Sequence, residues 1–507
     1  MRKYRALAAV LVTALPSWAM VACGDDGDDS PPAETGGSST GGKGGSSTGG
    51  KGGSSTGGKG GSSTGGTSGA GGENPGGAGG EETGGTGTGG KGGTSGTGGT
   101  GGCDLKGDGK PHETVPADIT SDLTLTSDTV WDLEDFVKVH DGATLTIEAC
   151  TRIEGSPSPS PGVLAVMRGG QIDAVGTADE PILFTSAAAP GARSAGQWGG
   201  IVLLGRAPIT ASTASKIFEG LTDTDFTYGG TDPEDTSGTM QYVRIEFGGW
   251  NILPDKEING LSMGAVGSGT TLDHIMVSNT RDDCFEWWGG TVDASYLICN
   301  NAGDDMFDAD EGYVASGDYW FGRRVGAGVV SSPDPSGFEW DGTESGTLVS
   351  GKDPTHVTVT NATLCGTGTT GAFTNPEFGM VLRERDTGTF DTVALLGFEY
   401  GIDTRTNTNT AADAIAADAF SMNNSTFWGL ANTVAAADTS NNDNGFVDDS
   451  FVTDGMNNDP DPNPVPFTLE ECQTESGPTD AVKESDVGAF AGDATWMDGA
   501  WVDWSPN

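Results

Sequence analysis

Short runs of apolar and β-branched residues alternate with polar turns between about residues 120 and 430. The stretch VKVHDGATLTIEACTRIEG (137–155) contains several such runs separated by turns, and single runs include MQYVRIEF (240–247), HVTVTNATL (356–364) and FDTVALLGF (390–398). Each run has the length of a strand, mixes Val, Ile and Leu with Thr, and is followed by Gly, Asn or Asp. Residues 411–419 form the only candidate helix. The pattern therefore predicts an all-β domain.

Two neighbouring segments of 22 residues, 271–292 and 293–314, align without a gap. A repeat of this size, built from strand-like runs and polar turns, is typical of a solenoid of parallel β-coils. Paired residues would then lie one strand spacing apart, about 4.8 Å. A β-sandwich is the main alternative, but it does not explain the repeat. The identical pairs include Asn279/Asn301, Asp282/Asp304, Asp283/Asp305 and Phe285/Phe307, and Glu286/Asp308 keeps the charge.

Some coils carry insertions. The triplet Phe338-Glu339-Trp340 repeats Phe285-Glu286-Trp287, but it lies 31 residues beyond Phe307 instead of 22. Residues 323–335 are therefore predicted to form a loop, and 222–237 and 252–257 look like similar excursions. Open ends of a solenoid need covers, because unpaired strand edges promote aggregation. The tail with Trp496, Trp501 and Trp504 is predicted to form such a cap at the C-terminal end.

The N-terminal residues predict export and a flexible attachment. Residues 1–22 combine a basic start with a short apolar stretch, as in a secretory signal peptide. The sequence Met-Val-Ala-Cys-Gly at 20–24 resembles a bacterial lipobox with Cys23 as the lipidated residue. Residues 23–102 are rich in Gly, Ser and Thr and predict a disordered tether. The expected product is a lipid-anchored domain, residues 103–507, at the outer membrane or cell surface.

The charge of the chain limits the ligands it can bind, and its cysteines predict disulfide bonds. The chain has 72 acidic and 25 basic residues, with a formal net charge of -47. This argues against nucleic acid and anionic lipid headgroups as ligands. Six cysteines follow Cys23, which allows three disulfides in an exported protein. The sequence leaves their pairing open, although a Cys103–Cys150 bond would tie down the start of the domain.

The turns of the 22-residue repeat are crowded with carboxylates. Two carboxylates about 5 Å apart repel each other by roughly 3 kcal/mol at an effective dielectric near 20. Arg281 is the only Lys or Arg in the two coils, and Arg323 and Arg324 could fold back from the next loop. Oxygen-only ligands favour Ca²⁺, whereas some of these acids could instead cap turn amides or face water. The candidate calcium ligands are Asp282, Asp283, Glu286, Asp304, Asp305, Asp308 and Asp310.

Aromatic residues lie close to these acids in the sequence. Phe285 and Phe307 are expected to stack in the core between coils. Trp288 and Trp320 are candidates for stacking on a sugar, with burial in the core as the alternative.

Several stretches resemble a known family. They are GATLTIEACTRIEG (142–155), GQWGGIVLLGRAPI (196–209), YVRIEFGG (242–249), DDCFEWWGGTV (282–292) and VGAFAGDATWMDGAWVDW (487–504). They look like large secreted or lipid-anchored proteins of Bacteroidetes and myxobacteria with a pectin-lyase-like domain. The resemblance implies a single-stranded right-handed parallel β-helix and an exported protein, and it implies no particular activity.

Three functional hypotheses remain open at this stage. The first is a binding or structural module for polysaccharide or another envelope component, with Ca²⁺ stabilising the acidic coils. The second is a calcium-assisted polysaccharide lyase, for which Arg281, Arg323, Arg383 and Arg385 are available, or a two-carboxylate glycosidase. The RIK and GHG motifs of pectate lyases and polygalacturonases are absent. The third is a passive surface spacer or adhesin. The oligomeric state is not predicted.

Overall fold

The computed structural model describes residues 103–253, 256–343, 349–371, 373–374, 376–405, 420–430, 457–459 and 462–507. The predicted signal peptide, the lipidation residue Cys23, the predicted tether and the candidate helix at 411–419 lie outside these ranges.

The chain winds in successive coils that contribute parallel strands to three faces. The first face begins with β1 (His112–Thr114), β4 (Val130–Leu133), β7 (Arg152–Gly155) and β10 (Ile182–Ser186). The third face begins with β3 (Leu123–Leu125), β6 (Thr144–Ile147) and β9 (Gln171–Val175). The second face consists of β2 (Asp118–Ile119), β5 (Phe136–Val139), β8 (Val163–Val166), β11 (Gly200–Leu204), β17 (Leu261–Val266), β19 (Phe285–Gly290), β21 (Phe307–Asp310), β23 (Ser336–Asp341), β25 (Phe378–Arg383) and β27 (Tyr400–Arg405).

From residue 238 onward one long strand per coil serves both the third and the first face. These strands are β14 (Gly238–Glu246), β18 (Thr271–Ser278), β20 (Ala294–Asn300), β22 (Val314–Arg323), β24 (His356–Cys365) and β26 (Thr387–Leu396), followed by the shorter β28 (Phe420–Asn423) and β29 (Thr426–Trp428). A single left-handed residue bends each long strand, for example His274 at φ 52° and Tyr296 at φ 57°. One such residue replaces a whole turn, so the corner between these faces is tight.

The strand register confirms the 22-residue coil. Phe285 pairs with Phe307 on the second face, and Leu272 pairs with Ala294 on the long strands. Phe307 in turn pairs with Phe338, although 31 residues separate them. The all-β parallel β-helix predicted from the sequence is thus present in the described residues.

The predicted insertions are also present. No strand lies between Arg323 and Ser336, where the chain forms a loop with one 3₁₀ turn, Ala327–Val329. The other two excursions are longer than predicted. The second begins before residue 222 with β12 (Lys216–Ile217), which pairs antiparallel with β13 (Thr227–Tyr228), and the third is the antiparallel pair β15 (Trp250–Leu253) and β16 (Lys256–Ile258).

The core is a column of inward-facing apolar and aromatic side chains. Phe285 and Phe307 stack with ring centroids 5.5 Å apart and planes 5° from parallel, as expected. Trp320 is 1% exposed and stacks on Trp287 at 5.4 Å. Trp288 faces outward from β19 but is only 6% exposed, because Phe218 from an excursion packs edge-on against it at 5.0 Å. The prediction that Trp288 and Trp320 stack on a sugar is therefore wrong, since neither ring is open to solvent.

The C-terminal residues lie along the outside of the first face. They contain two short helices, α1 (Leu469–Cys472) and α2 (Asp480–Lys483). The Trp501 ring packs against Tyr242 and His274, and the backbone N–H of Trp501 donates to the carbonyl of Ala178 at 3.0 Å. Phe490 packs against Phe321 of β22. The prediction that this Trp-rich tail caps the end of the solenoid is wrong, because it covers the solenoid's side.

The apolar outer surface of the first face explains this position. Met276, Ile298 and Phe321 point outward at equivalent places on successive long strands and are almost fully buried under the tail. Leaving such side chains in water would cost roughly 1.5–3 kcal/mol each, so this face needs a cover.

All six cysteines of the domain form disulfides. The predicted Cys103–Cys150 bond is present and ties down the start of the domain. A second bond joins Cys284 to Cys299 inside one coil, and Cys365–Cys472 attaches the tail to β24. Among the described residues, no helix has the length and apolar character that crossing a bilayer requires.

Candidate functional site

The carboxylates of the repeat lie together on the outer surface of the second face. Side chains alternate across a strand, so the inward positions of Phe285 and Trp287 place Glu286 outward. In the register of neighbouring strands Glu286 pairs with Asp308, and Asp308 pairs with Glu339. Aspartates in the turns just before these strands extend the same line of charge. We call the following set the acidic row: Asp282, Asp283, Glu286, Asp304, Asp305, Asp308 and Glu339.

The acidic row divides into three overlapping triads. In each triad, one carboxylate oxygen per residue lies within 4.8 Å of the others. Calcium–oxygen distances are about 2.3–2.6 Å, so oxygens on opposite sides of one ion lie at most about 5 Å apart. Each triad can therefore supply ligands to a single cation. The triads are Asp282–Asp283–Asp304, Asp283–Glu286–Asp308 and Asp305–Asp308–Glu339.

Hydrogen bonds compensate only part of this charge. Asp283 accepts a bond of 2.7 Å from the backbone N–H of Asp305, and Glu286 accepts one from the side-chain amide of Asn259. By contrast, Asp308 accepts no hydrogen bond and joins no ion pair within the described part of the chain. The Oδ1 atom of Asp304 is buried and also lacks a hydrogen-bond partner. Turn capping thus accounts for some of these acids and leaves others unexplained.

Among the described residues, basic side chains form ion pairs with the acidic row only at its Glu339 end. Arg383 pairs with Glu339 at 3.3 Å and with Asp341 at 2.6 Å. Arg324 is fully buried, pairs with Glu377 at 3.0 Å and also donates to the backbone carbonyl of Asp304.

The Arg323 side chain points away from the acidic row. Its Nε donates a hydrogen bond to Oδ1 of Asn300 at 2.8 Å, and its guanidinium lies 4.3 Å from the centre of the Trp504 ring. The expectation that Arg323 folds back onto the acids is therefore wrong. Arg324 does fold back, and its charge acts against the rise in the pKa values of Asp304 and Asp305, but it contacts the backbone of Asp304 and no carboxylate of the row.

Burial and mutual repulsion raise the pKa values of these acids. Burial, followed by repulsion from Glu339, raises the pKa of Asp304 to about 7. Burial, followed by repulsion from Asp304, likewise raises the pKa of Asp305 to about 7. Burial is also the main cause that raises the pKa values of Asp282, Asp283, Glu286, Asp308 and Glu339 well above the usual range. The row therefore favours protons or a cation over bare charge.

Asp310, the seventh predicted ligand, lies outside the three triads. It is two positions beyond Asp308 on β21, and one of its oxygens accepts a hydrogen bond from the backbone of Glu311. Glu311 is buried and pairs with Lys216 and with the Tyr228 hydroxyl, the latter at 2.9 Å. The structure thus brings six of the seven predicted ligands together and separates Asp310 from them.

Some residues of the site were not anticipated. Glu339 joins a triad, and the repeated Phe-Glu-Trp triplet was the signal that could have identified it. Glu219 and Glu257 come from the two hairpin excursions, and their charges help to raise the pKa of Asp282 after burial and Asp304. No periodicity marks these two residues, because excursions lie outside the repeat.

The comparisons with known proteins bear on this geometry. A family model described as "Pectate-lyase like beta helix domain" matches residues 117–469, which includes every residue of the acidic row. The comparison with curated proteins found no match, and neither did the comparison with solved structures.

Proposed function

The chain belongs to the pectate-lyase-like β-helix family, and we propose that it is a surface glycan-binding module whose acidic row binds calcium. The observation that carries the proposal is the stack of three carboxylate triads in which Asp308, shared by two of them, has no hydrogen-bond or ion-pair partner among the described residues.

The donor set favours calcium among common biological cations. Every side chain in the triads offers oxygen, and zinc prefers nitrogen and sulfur ligands. Magnesium needs a nearly ideal octahedron and keeps most of its water. Calcium accepts six to eight oxygens in a flexible arrangement, which suits carboxylates on adjacent strands. Binding would also relieve the repulsion that raises the pKa values of these acids.

The calcium part of the proposal is tested by titration calorimetry on the purified domain. Asp308→Asn keeps the size of the side chain and removes one charge from two triads, so we expect calcium binding to weaken at least tenfold. Asp310→Asn removes the same charge outside the triads and serves as the matched control, with an expected change below twofold. Equal effects of the two substitutions would contradict the assignment.

The glycan part rests on the family and on the shape of the second face. The excursion containing β12 and β13 adds Glu219 near the acidic row, and the loop 324–335 flanks Asp304. The row therefore lies on a polar surface bordered by insertions, where solenoids commonly bind ligands. Co-sedimentation with insoluble polysaccharides, in calcium and in EDTA, tests this part. Binding that is retained only in calcium is expected, and no binding in either condition favours a passive spacer.

The raised pKa values of Asp304 and Asp305 favour one alternative function. Two neighbouring carboxyl groups with pKa values of about 7 are suited to donate and accept protons at neutral pH, as in a two-carboxylate glycosidase. Incubation with polysaccharides, followed by assays for reducing and unsaturated ends, tests this alternative. New ends that disappear in Asp305→Asn would identify an enzyme, whereas retention without cleavage supports the binding module.

Attachment to the cell surface is a separate part of the proposal. It is supported by the signal-like residues 1–22 and the lipobox at Cys23. Metabolic labelling with a radioactive fatty acid should mark the wild-type chain and leave Cys23→Ser unlabelled. A labelled serine variant would refute lipidation at this residue.

A further inference from the structure

A cleft of about 590 Å³ opens at the corner between the first and second faces, directly before the acidic row. Its walls come from the turns that follow β10, β14, β18 and β20, and from the 3₁₀ turn of the loop 324–335. No Asp or Glu is among the described residues that line it. In a chain with a formal net charge of -47, this composition differs sharply from that of the neighbouring row.

A chain of hydrogen bonds fixes the orientation of the amides in the cleft. The backbone N–H of Val325 can only donate, and it donates to Oδ1 of Asn301 at 2.8 Å. Nδ2 of Asn301 must then donate, and its acceptor is Oδ1 of Asn279 at 3.0 Å. Nδ2 of Asn279 is left as the free end of the chain, because no described residue accepts its hydrogens. The cleft therefore contains an amide donor without a protein acceptor.

Arg281 adds a guanidinium that is not used inside the protein. Its side chain is exposed and forms no hydrogen bond or ion pair with any described residue. The stem lies against Gly196, where an added Cβ would come within 2.6 Å of Arg281 Cδ. The backbone carbonyl of Arg281 accepts a hydrogen bond from the Ser331 hydroxyl. Close packing thus holds the base of this side chain while its charged end stays available.

The remaining lining residues complete a site for a small anion on an apolar support. Arg193 lines the cleft but is not a further free donor: its Nε donates to the carbonyls of Ser186 and Ala188, 3.0 Å each, its Nη1 donates to the carbonyl of Asn507, and its Nη2 lies 4.0 Å from Glu154. Thr280 is 1% exposed, and its hydroxyl has no hydrogen-bond partner. Val329 supplies a partly exposed apolar surface.

We infer that this cleft binds the carboxylate of an acidic sugar, with Arg281 and Asn279 as the donors. A guanidinium and an amide can both donate to one carboxylate, and charge-assisted bonds of this kind are strong. The first triad, Asp282–Asp283–Asp304, begins one residue after Arg281. The inference rests on the proposed function in one respect: a glycan chain that reaches the calcium-loaded row would place its next acidic group in the cleft.

Two titrations on the domain test the inference. The first uses glucuronate alone in calcium-free buffer, with glucose as the neutral comparison, and follows binding by NMR. The second uses acidic oligouronates and their carboxyl-reduced forms in saturating calcium, and follows binding by calorimetry. We expect Arg281→Gln to weaken glucuronate and oligouronate binding about tenfold or more while calcium affinity stays within twofold. Arg206→Gln, at an exposed arginine that pairs with Asp141 at 2.9 Å, is the matched control and should change neither.

The outcomes separate this inference from the proposed function. Oligouronate binding that is unchanged in Arg281→Gln would overturn the cleft and leave the calcium-dependent module standing. Loss of glucuronate binding in that variant, in a protein that binds no calcium, would support the cleft and refute the proposed function. Equal affinity for glucuronate and glucose in the wild type would overturn the cleft.

Discussion

The acidic row makes the stability of the calcium-free protein fall as the pH rises. Asp305 is 2% exposed, and its pKa in the folded protein is raised from 3.8 to about 7. The folded state therefore holds this proton more tightly than the unfolded state does. The stabilising effect is complete below about pH 4 and is lost as the pH rises to about 7.

The size of the effect follows from the shift. About three pKa units correspond to roughly 4 kcal/mol, at about 1.4 kcal/mol per unit. This is a large part of the 5–15 kcal/mol that typical domains have in total. Calcium should reverse the trend, because it stabilises the deprotonated carboxylates. At one hundred times its dissociation constant it would add about 2.7 kcal/mol. At pH 5 it should add less, because protons compete for the same oxygens.

The pH-dependent and calcium-dependent parts of the free energy of unfolding can be measured by urea unfolding. The wild type and Asp305→Asn are compared at pH 4 to 8, with EDTA or with calcium. Asparagine has the same size as aspartate and cannot ionise. In EDTA the variant should therefore be more stable than the wild type at pH 8, by an amount on the order of 4 kcal/mol, and this advantage should disappear at pH 4. In calcium at pH 8, at one hundred times the dissociation constant, this advantage should shrink to about 1 kcal/mol, because calcium adds about 2.7 kcal/mol to the wild type. A wild-type stability that depends on pH as weakly as that of the variant would refute the reasoning.

Three further predictions concern the scaffold. Phe307→Ala removes a ring that stacks on Phe285 and Trp320, and it should lower the free energy of unfolding by about 3–5 kcal/mol in urea. The control Val314→Ala, at a 37% exposed site, should lower it by well under 1 kcal/mol in the same assay. The double substitution Cys365→Ser, Cys472→Ser removes a bond between residues 107 positions apart and should lower the free energy of unfolding by about 4–5 kcal/mol. Limited proteolysis should then remove the tail first, and a tail that stays protected would contradict its attachment through this bond. Asp386 is fully buried, neither of its carboxylate oxygens has a hydrogen-bond partner, and burial raises its pKa well above the usual range. Asp386→Asn should therefore stabilise the protein at pH 8 and not at pH 4. Urea midpoints of the wild type and the variant at the two pH values test this prediction.

Periodicity explains why much of the site was predictable. Coils of equal length bring equivalent residues to the same place, so Asp282 and Asp304 could be assigned to one line of charge before any coordinates were known. The same reasoning placed Phe285 on Phe307. It identified six of the seven residues that form the triads. It missed the seventh, Glu339, although the displaced Phe-Glu-Trp triplet carried the signal for it, and it wrongly included Asp310.

Contacts between residues far apart in sequence were not predictable in this way. Trp288 is an outward residue that should face water, but Phe218 covers it from an excursion that no repeat describes. The Trp-rich tail was expected to cover an end because solenoid ends need covers. It packs on the first face because the outward residues Met276, Ile298 and Phe321 make that side apolar.

The sequence by itself determined the coil, the strand register and six of the seven members of the acidic row, because all of these follow from a local period. The tertiary structure alone decided which charges are compensated. Arg383 pairs with Glu339 and Asp341, whereas Arg324 pairs with Glu377 outside the row. Two arginines with the same charge therefore compensate different carboxylates. It also decided where the free donors of Arg281 and Asn279 lie. Such pairings depend on how loops of unequal length pack against the coils, and no repeat in the sequence encodes that packing.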